Sequence, residues 1–395
     1  MKNSPSVSVI LVGIWYKGKG ADKTAEYLAE LGSIARTRGW EVVKTFSQSL
    51  ARPHPGTLIG RGKMEEIKSY IQEQNIDRPI QGIVFDEELS PVHLRNLEAF
   101  FQLPVSDRSL MILEVFSQHA RTAQAKVQVN LAKYEYLLPR LTRLWTHLER
   151  QRGGQNTRGG AGEKEIETDR RNIRNRIVQL KRKWKKIKRH AQVQRKGREN
   201  WIRIACVGYT NVGKSSLMNL LSKSRVPVED KLFATLDTTV RRITWPEARF
   251  LLSDTVGFIR KLPQNLLSSF RSTLDEVREA DLLLHVLDIS NKSFLEQAEV
   301  VEKTLMEVCP QKIPTMWICN KIDKLSEKER EEAENELFVL RKRHGGEALF
   351  TISAMQKTGL DNIKQSLSKW VAQKKGNHQS SPMHTQHGPV VQWIE

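Results

Sequence analysis

The chain has 395 residues, too many for one compact core, so two or three domains are expected. Lys and Arg number 64 against 45 Asp and Glu, a formal net charge of +19, and a field of that sign favours polyanions: nucleic acid or an anionic membrane surface. No run of about twenty apolar residues is present to span a bilayer, and Cys206, Cys309 and Cys319 lie in apolar segments without metal-ligand spacing, as expected of buried, reduced thiols in a cytoplasmic protein.

Residues 7–15 contain Ser8 and Gly13 and lack a cleavage-like end, so they read as a strand rather than a signal peptide. Through residues 1–119, strand candidates at 7–12, 41–46, 80–85 and 104–106 alternate with helical periodicity at 24–37, 64–74 and 91–101. That alternation predicts a small α/β domain with a parallel sheet. Residues 54–67 hold Gly56, Gly60 and Gly62 with Arg61 and Lys63, a cluster compatible with a phosphate grip or with a plain loop. No catalytic triad, metal cluster or second complete phosphate loop accompanies it, which argues against an N-terminal RNA-remodelling activity driven by another nucleotide.

Residues 120–198 change character. Val127, Leu131, Tyr134, Leu138, Leu141, Trp145 and Leu148 recur at steps of four and three, as do Ile173, Ile177, Leu180, Trp184, Ile187 and Ala191. Each set is one apolar seam on a helix, and two such helices predict an antiparallel hairpin whose aromatic residues are core packing. The connection at residues 151–171 is rich in Gly and Arg and reads as a projecting loop. The second helix is strongly basic, from Arg170 and Arg171 through Lys188 and Arg189 to Arg198, with hardly an acid. Like charges at helical spacing repel, so a polyanion is the expected partner, and the lack of interleaved aromatics favours backbone recognition of structured RNA.

Residues 199–375 carry four segments in a telling order. The first is Gly208, Tyr209, Thr210, Asn211, Val212, Gly213, Lys214 and Ser215, which fits the phosphate-loop pattern: backbone N–H groups wrap the phosphates and a lysine adds charge. Ile202, Ile204, Cys206 and Val207 before it read as a buried strand, and Leu217, Leu220 and Leu221 after it as a helix. The second is Asp254, Thr255, Val256 and Gly257, at the end of an apolar run, where a carboxylate can hold a magnesium-bound water and the glycine N–H can meet a γ-phosphate. The third is Asn320, Lys321, Ile322 and Asp323; a carboxylate at Asp323 accepts from N1–H and the 2-amino group of guanine, neither of which adenine offers. The fourth is Ser353, Ala354 and Met355, with the Ala354 N–H aimed at the guanine O6. Alone each tetrapeptide is weak; in order they specify GTP with Mg2+.

Residues 231–242 are the natural place for a loop that senses the γ-phosphate, with Thr235 as second magnesium ligand and Thr238 and Thr239 as alternatives. Phe258 stands where many such enzymes carry a glutamine that orients the attacking water. Slow basal hydrolysis, accelerated by a partner or using another group, is therefore expected. Asn211 is a candidate to seat a monovalent cation such as K+, or simply braces the loop. Residues 376–395 read as a polar tail, with Val390, Val391, Trp393 and Ile394 near its end.

These residues resemble the HflX family of ribosome-associated GTPases in the Obg-HflX group. The resemblance rests on PGTLIGRGKMEEI, QVNLAKYEYLLPRL and TRGGAGEKEIETDRR, then GYTNVGKSS, LFATLDTT, DTVGFI, NKID and SAM. It implies an N-terminal α/β domain, a helical hairpin linker and a Ras-like GTPase domain. It further implies that the protein binds the large ribosomal subunit, with its hairpin reaching ribosomal RNA near the peptidyl transferase centre, and splits stalled ribosomes in a GTP-dependent way. Family nucleotide contacts fall on the four segments and on Phe233, Ala234, Thr235, Leu236 and Asp237, with magnesium on Ser215 and Thr235 and with Lys214, Thr235 and Gly257 at the reacting phosphate. The chain is expected to be monomeric. A GTP-gated regulator of ribosome assembly or of a membrane surface is the alternative. Two departures stand out: a hairpin tip that reads GGAG where relatives have a Pro, which makes it more flexible, and a polar tail where many relatives carry a further domain.

Overall fold

The computed structural model describes residues 7–16, 21–74, 79–140, 161–196, 201–222, 232–233, 239–263, 275–344 and 348–379. Strands β1 (Val7–Tyr16), β2 (Trp40–Leu50), β3 (Gly82–Phe85) and β4 (Val105–Asp107) form an all-parallel sheet in the order β2-β1-β3-β4. The central run Val9 to Val12 is at most 1% exposed. Such a strand is apolar without alternation because helices cover both faces. Helices α1 (Ala21–Arg38), α2 (Arg61–Gln74) and α3 (Pro91–Phe101) fall where the periodicity predicts them. Ser90 caps α3 in a reciprocal box with His93, and Pro91 occupies its first turn.

A fourth helix, α4 (Arg108–His119), was not expected. Met111, Ile112, Leu113, Val115 and Phe116 are all buried, so the segment has almost no polar face to give a period of 3.6. Asp107, at the end of β4, caps it through Leu110 N–H.

Helix α5 (Ala123–Leu137), one 3-10 turn (Leu138–Arg140) and α6 (Ala161–Lys196) form the helical region. Leu131, Ile177 and Leu180 bury together, with Val127, Tyr134, Leu138 and Ile173 against them. The expected loop at residues 151–171 is corrected from residue 161 onward, because α6 already begins there. That stretch, AGEKEIETDRR, has one Gly, no Pro and many strong helix formers, with acids near the positive helix start. Leu141, Trp145 and Leu148 of the first seam and residues 151–160 of the tip lie outside the described residues.

The second sheet runs β10-β9-β8-β5-β7-β6. Its strands are β5 (Arg203–Gly208), β6 (Thr239–Thr244), β7 (Arg249–Asp254), β8 (Leu282–Asp288), β9 (Thr315–Asn320) and β10 (Leu349–Thr351); β6 is antiparallel to β7 and the other pairs are parallel. Around it lie α7 (Lys214–Ser222), α8 (Asp275–Arg278), α9 (Phe294–Val308), α10 (Glu327–Arg343) and α11 (Leu360–Gln379). The two sheets share one apolar cluster, and Phe116 of α4 meets Phe233 with ring centroids 4.6 Å apart. Cys206 and Cys319 are buried free thiols, whereas Cys309 is only partly buried, because it ends α9 at the surface. Among the described residues no helix is long and apolar enough to cross a membrane.

Candidate nucleotide site

The site is assembled at the carboxyl ends of β5, β7, β8 and β9, where a parallel sheet leaves its loops free to hold a ligand. Between β5 and α7 the chain turns on Gly208 (φ +148°) and Gly213 (φ +99°). A Cβ at Gly208 would come within 2.3 Å of the Val286 carbonyl oxygen, and one at Gly213 within 2.3 Å of Asn320 Nδ2, so neither position admits a side chain. Lys214 Nζ donates to the carbonyls of Gly208 (3.1 Å) and Tyr209 (2.7 Å), which closes the loop over the ammonium. Burial lowers the Lys214 pKa to about 8, although Asp254 pulls it back up. Phosphate oxygens beside it would raise that value again.

Ser215 Oγ donates to Asp254 Oδ2 at 2.6 Å, which joins α7 to the end of β7. A hydroxyl and a carboxylate offer hard oxygens of the kind that suits Mg2+. Thr255 spends its hydroxyl on the Cys206 carbonyl (2.6 Å), which pins the start of the following loop to β5. A Cβ at Gly257 would lie 2.9 Å from Thr210 Cα and 3.1 Å from Lys214 Nζ, so the glycine backbone sits directly against the phosphate loop. Phe258 is 2% exposed; its N–H donates to the Gly208 carbonyl and its carbonyl accepts from Thr210 N–H.

Asn320 braces the third segment. Its Nδ2 donates to the Val212 carbonyl (2.8 Å) and its Oδ1 accepts from Ala354 N–H (3.0 Å), so one amide ties together the first, third and fourth segments. Lys321, at φ +68°, donates to the Asn211 carbonyl (2.7 Å) and pairs with Asp288 at 2.6 Å. Asp288 at the end of β8 belongs to none of the four segments, and only the fold reveals it. Asp323 and Ile322 lie in a 3-10 turn, and Asp323 Oδ1 is buried without a hydrogen-bond partner among the described residues. An acceptor kept in that condition suits a donor supplied by a ligand. Ser353 Oγ accepts from Gln356 N–H (2.9 Å), while Met355 is 84% exposed.

Ala234, Thr235, Leu236, Asp237 and the alternative Thr238 lie outside the described residues, and Thr239 opens β6. Phe233 is 2% exposed and packs on Phe116, so its side chain serves the core and only its backbone remains for a nucleotide.

The structure adds a polar network that joins the N-terminal sheet to this site. Glu30 on α1 accepts from Tyr209 OH (2.5 Å) and from Arg260 Nη2 (2.9 Å), and lies 3.0 Å from Arg108 Nη2. Arg108, 2% exposed, also pairs with Asp86 at 2.7 Å, and Lys261 pairs with Asp86 (2.6 Å) and Glu87 (2.8 Å). Tyr209 OH in turn accepts from Arg260 N–H, and the Arg260 guanidinium lies over Tyr27 at 3.8 Å. Arg260 and Lys261 directly follow DTVGFI, which was the one available hint; nothing around Glu30 in the sequence marks it.

Residues 203–321 match the family described as 50S ribosome-binding GTPase, 119–198 the GTP-binding GTPase middle region, and 25–117 the GTP-binding GTPase N-terminal region. The chain is 52% identical over 314 residues to GTPase HflX of Flavobacterium psychrophilum, covering 80% of this chain and 75% of that one. It is 46% identical to GTPase HflX of Magnetococcus marinus, covering 77% and 70%, and 41% identical to GTPase HflX of Escherichia coli, covering 80% and 74%. Likeness of this extent, over a phosphate loop and strand ends arranged as above, settles kinship: the chain belongs to the HflX family of GTPases, which bind and hydrolyse GTP.

Proposed function

We propose that GTP lies along the carboxyl ends of β5, β7 and β9 and gates attachment of the chain to the large ribosomal subunit. In this reading the phosphates lie in the loop from Gly208 to Ser215, with the Lys214 ammonium on the outer two, and the guanine rests on Asp323, Lys321 and Ala354. The buried, unpartnered Asp323 oxygen carries the choice of guanine. A site that leaves such an acceptor unpaired with adenine rejects it strongly. Mg2+, when bound, neutralises phosphate charge; Ser215 would hold it directly, Asp254 through water, and Thr235 as the second protein ligand. In this reading Gly257 N–H would meet the γ-phosphate and transmit its loss to residues 258–261.

The proposed RNA contact is α6. Arg171, Arg174, Arg176, Arg182, Lys183, Lys185, Lys186, Lys188 and Arg189 are all exposed, so their charges are spread over the helix surface outside the seam with α5. Each phosphate contact releases counterions, so attachment should weaken steeply with salt. Pelleting with purified large subunits in a non-hydrolysable GTP analogue, but not in GDP, is the expected result. Failure to pellet in both refutes the reading, and equal affinity for anionic vesicles favours a membrane-surface regulator instead. Splitting of stalled ribosomes, which the family resemblance implies, and the expected monomeric state are tested by light scattering of whole ribosomes and by sedimentation of the free chain. Hydrolysis compared in K+ and Na+ tests the cation proposed beside Asn211; equal rates reject it.

A further inference from the structure

We propose that the Thr210 hydroxyl positions the attacking water against the terminal phosphoryl group, the task a glutamine performs in many related enzymes. The inference rests on GTP occupying the site as described above. At the position of that glutamine stands Phe258, whose ring is in the core at 2% exposure and whose N–H and C=O are both bonded to the phosphate loop, to the Gly208 carbonyl at 3.1 Å and Thr210 N–H at 2.8 Å. The ring has no hydrogen-bonding group, and turning it outward would expose it to water.

Thr210 occupies the corner that Phe258 leaves. A Cβ built on Gly257 would lie 2.9 Å from Thr210 Cγ2 and 3.1 Å from Lys214 Nζ, so the threonine side chain and the phosphate-binding ammonium border the same point. Thr210 is 6% exposed, and its Oγ1 is buried with no hydrogen-bond partner among the described residues. The neighbouring hydroxyls are all engaged: Ser215 on Asp254, Thr255 on the Cys206 carbonyl, Ser253 on the Ile204 carbonyl. A buried hydroxyl without a partner is destabilising, and valine would fill the same volume without that penalty. A γ-phosphate oxygen and its attacking water supply the acceptor and donor that Oγ1 lacks. The group is held still, because the loop is tied to Phe258 on one side of Thr210 and to Lys321, through the Asn211 carbonyl, on the other.

The test uses the full chain with Thr210→Val and Thr210→Ser. Single-turnover GTP cleavage, affinity for fluorescently labelled GDP and the thermal midpoint of the nucleotide-free protein are measured for each. Thr210→Val should slow cleavage about tenfold or more, the loss of one useful hydrogen bond, with GDP affinity unchanged and the midpoint raised by about 2–4 °C. Thr210→Ser should keep most of the rate. Native cleavage in Thr210→Val overturns the proposal. So does a parallel loss of GDP affinity, or a lowered midpoint, since either would mean that the hydroxyl holds the loop together. Should the native chain itself show no preference for GTP over ATP, the nucleotide assignment fails instead, which is a separate result.

Discussion

The two sheets of this protein share a layout and use it in opposite ways. Each places polar groups at the carboxyl ends of parallel strands. In the N-terminal sheet those groups are Asp86 just after β3 and Asp107 at the end of β4, and both are consumed internally: Asp86 by Arg108 and Lys261, Asp107 by Leu89 N–H, Leu110 N–H and Tyr136 OH. Burial pushes the Asp107 pKa up, and those hydrogen bonds pull it back. In the second sheet the strand ends carry Gly208, Asp254, Asp288 and Asn320, which brace loops around a space and keep Asp323 Oδ1 and Thr210 Oγ1 buried and unspent. The difference teaches that a carboxylate near the strand ends marks a ligand site where the fold leaves one of its oxygens buried and without a partner, as at Asp323 in the turn after β9.

The sharpest way to break the contrast is to open the closed side. Arg108→Met removes the cation that Glu30 and Asp86 share, leaving each with one, Arg260 and Lys261, and should cost about 1.5–3 kcal/mol of unfolding free energy in urea titration. A change below about 1 kcal/mol would mean that the network is not holding the two sheets together. On the open side, Asp323→Asn should weaken GTP about a hundredfold by calorimetry, because an amide cannot accept both guanine donors, while the apo protein stays folded.

Two titrations sharpen it further. His285 is 1% exposed, stacked on Trp317 at 4.4 Å, and burial, then His344 and Lys214, depress its pKa to about 3. Below pH of about 6.5 the unfolded chain takes up a proton that the folded chain refuses. Stability from this group is therefore complete above about pH 6.5 and falls by up to about 1.4 kcal/mol per pH unit toward pH 3. His285→Phe should remove that slope. The smallest effect concerns Lys214, whose pKa burial lowers to about 8. Its contribution to apo stability is present above the unfolded pKa of about 10.4 and is lost as pH falls to about 8. Because phosphates require the ammonium, GTP affinity should decline as pH rises above about 8, by up to tenfold per unit, and a flat profile would place the lysine away from the phosphates.

Much of this was legible in the residues themselves. The four nucleotide segments are short stretches whose spacing and composition carry their own geometry, as Gly208 and Gly213 show: no other residue fits where they sit. Strands β1 to β4 and helices α1 to α3 were visible because each keeps a clear period or an unbroken apolar run. Helix α4 was hidden because it is apolar nearly all round, and the start of α6 because its Gly and Arg neighbours suggested a loop.

By itself, then, the amino-acid order determined the nucleotide chemistry, the cationic helix and the sequence of domains, since these depend on local residue type and spacing. Which carboxylates are spent and which stay available was decided only by the tertiary structure. Glu30 meets Tyr209 and Arg260 across nearly two hundred residues of chain or more, and Asp288 meets Lys321 from a different strand. Pairings of that kind arise from how layers pack, and no local pattern announces them.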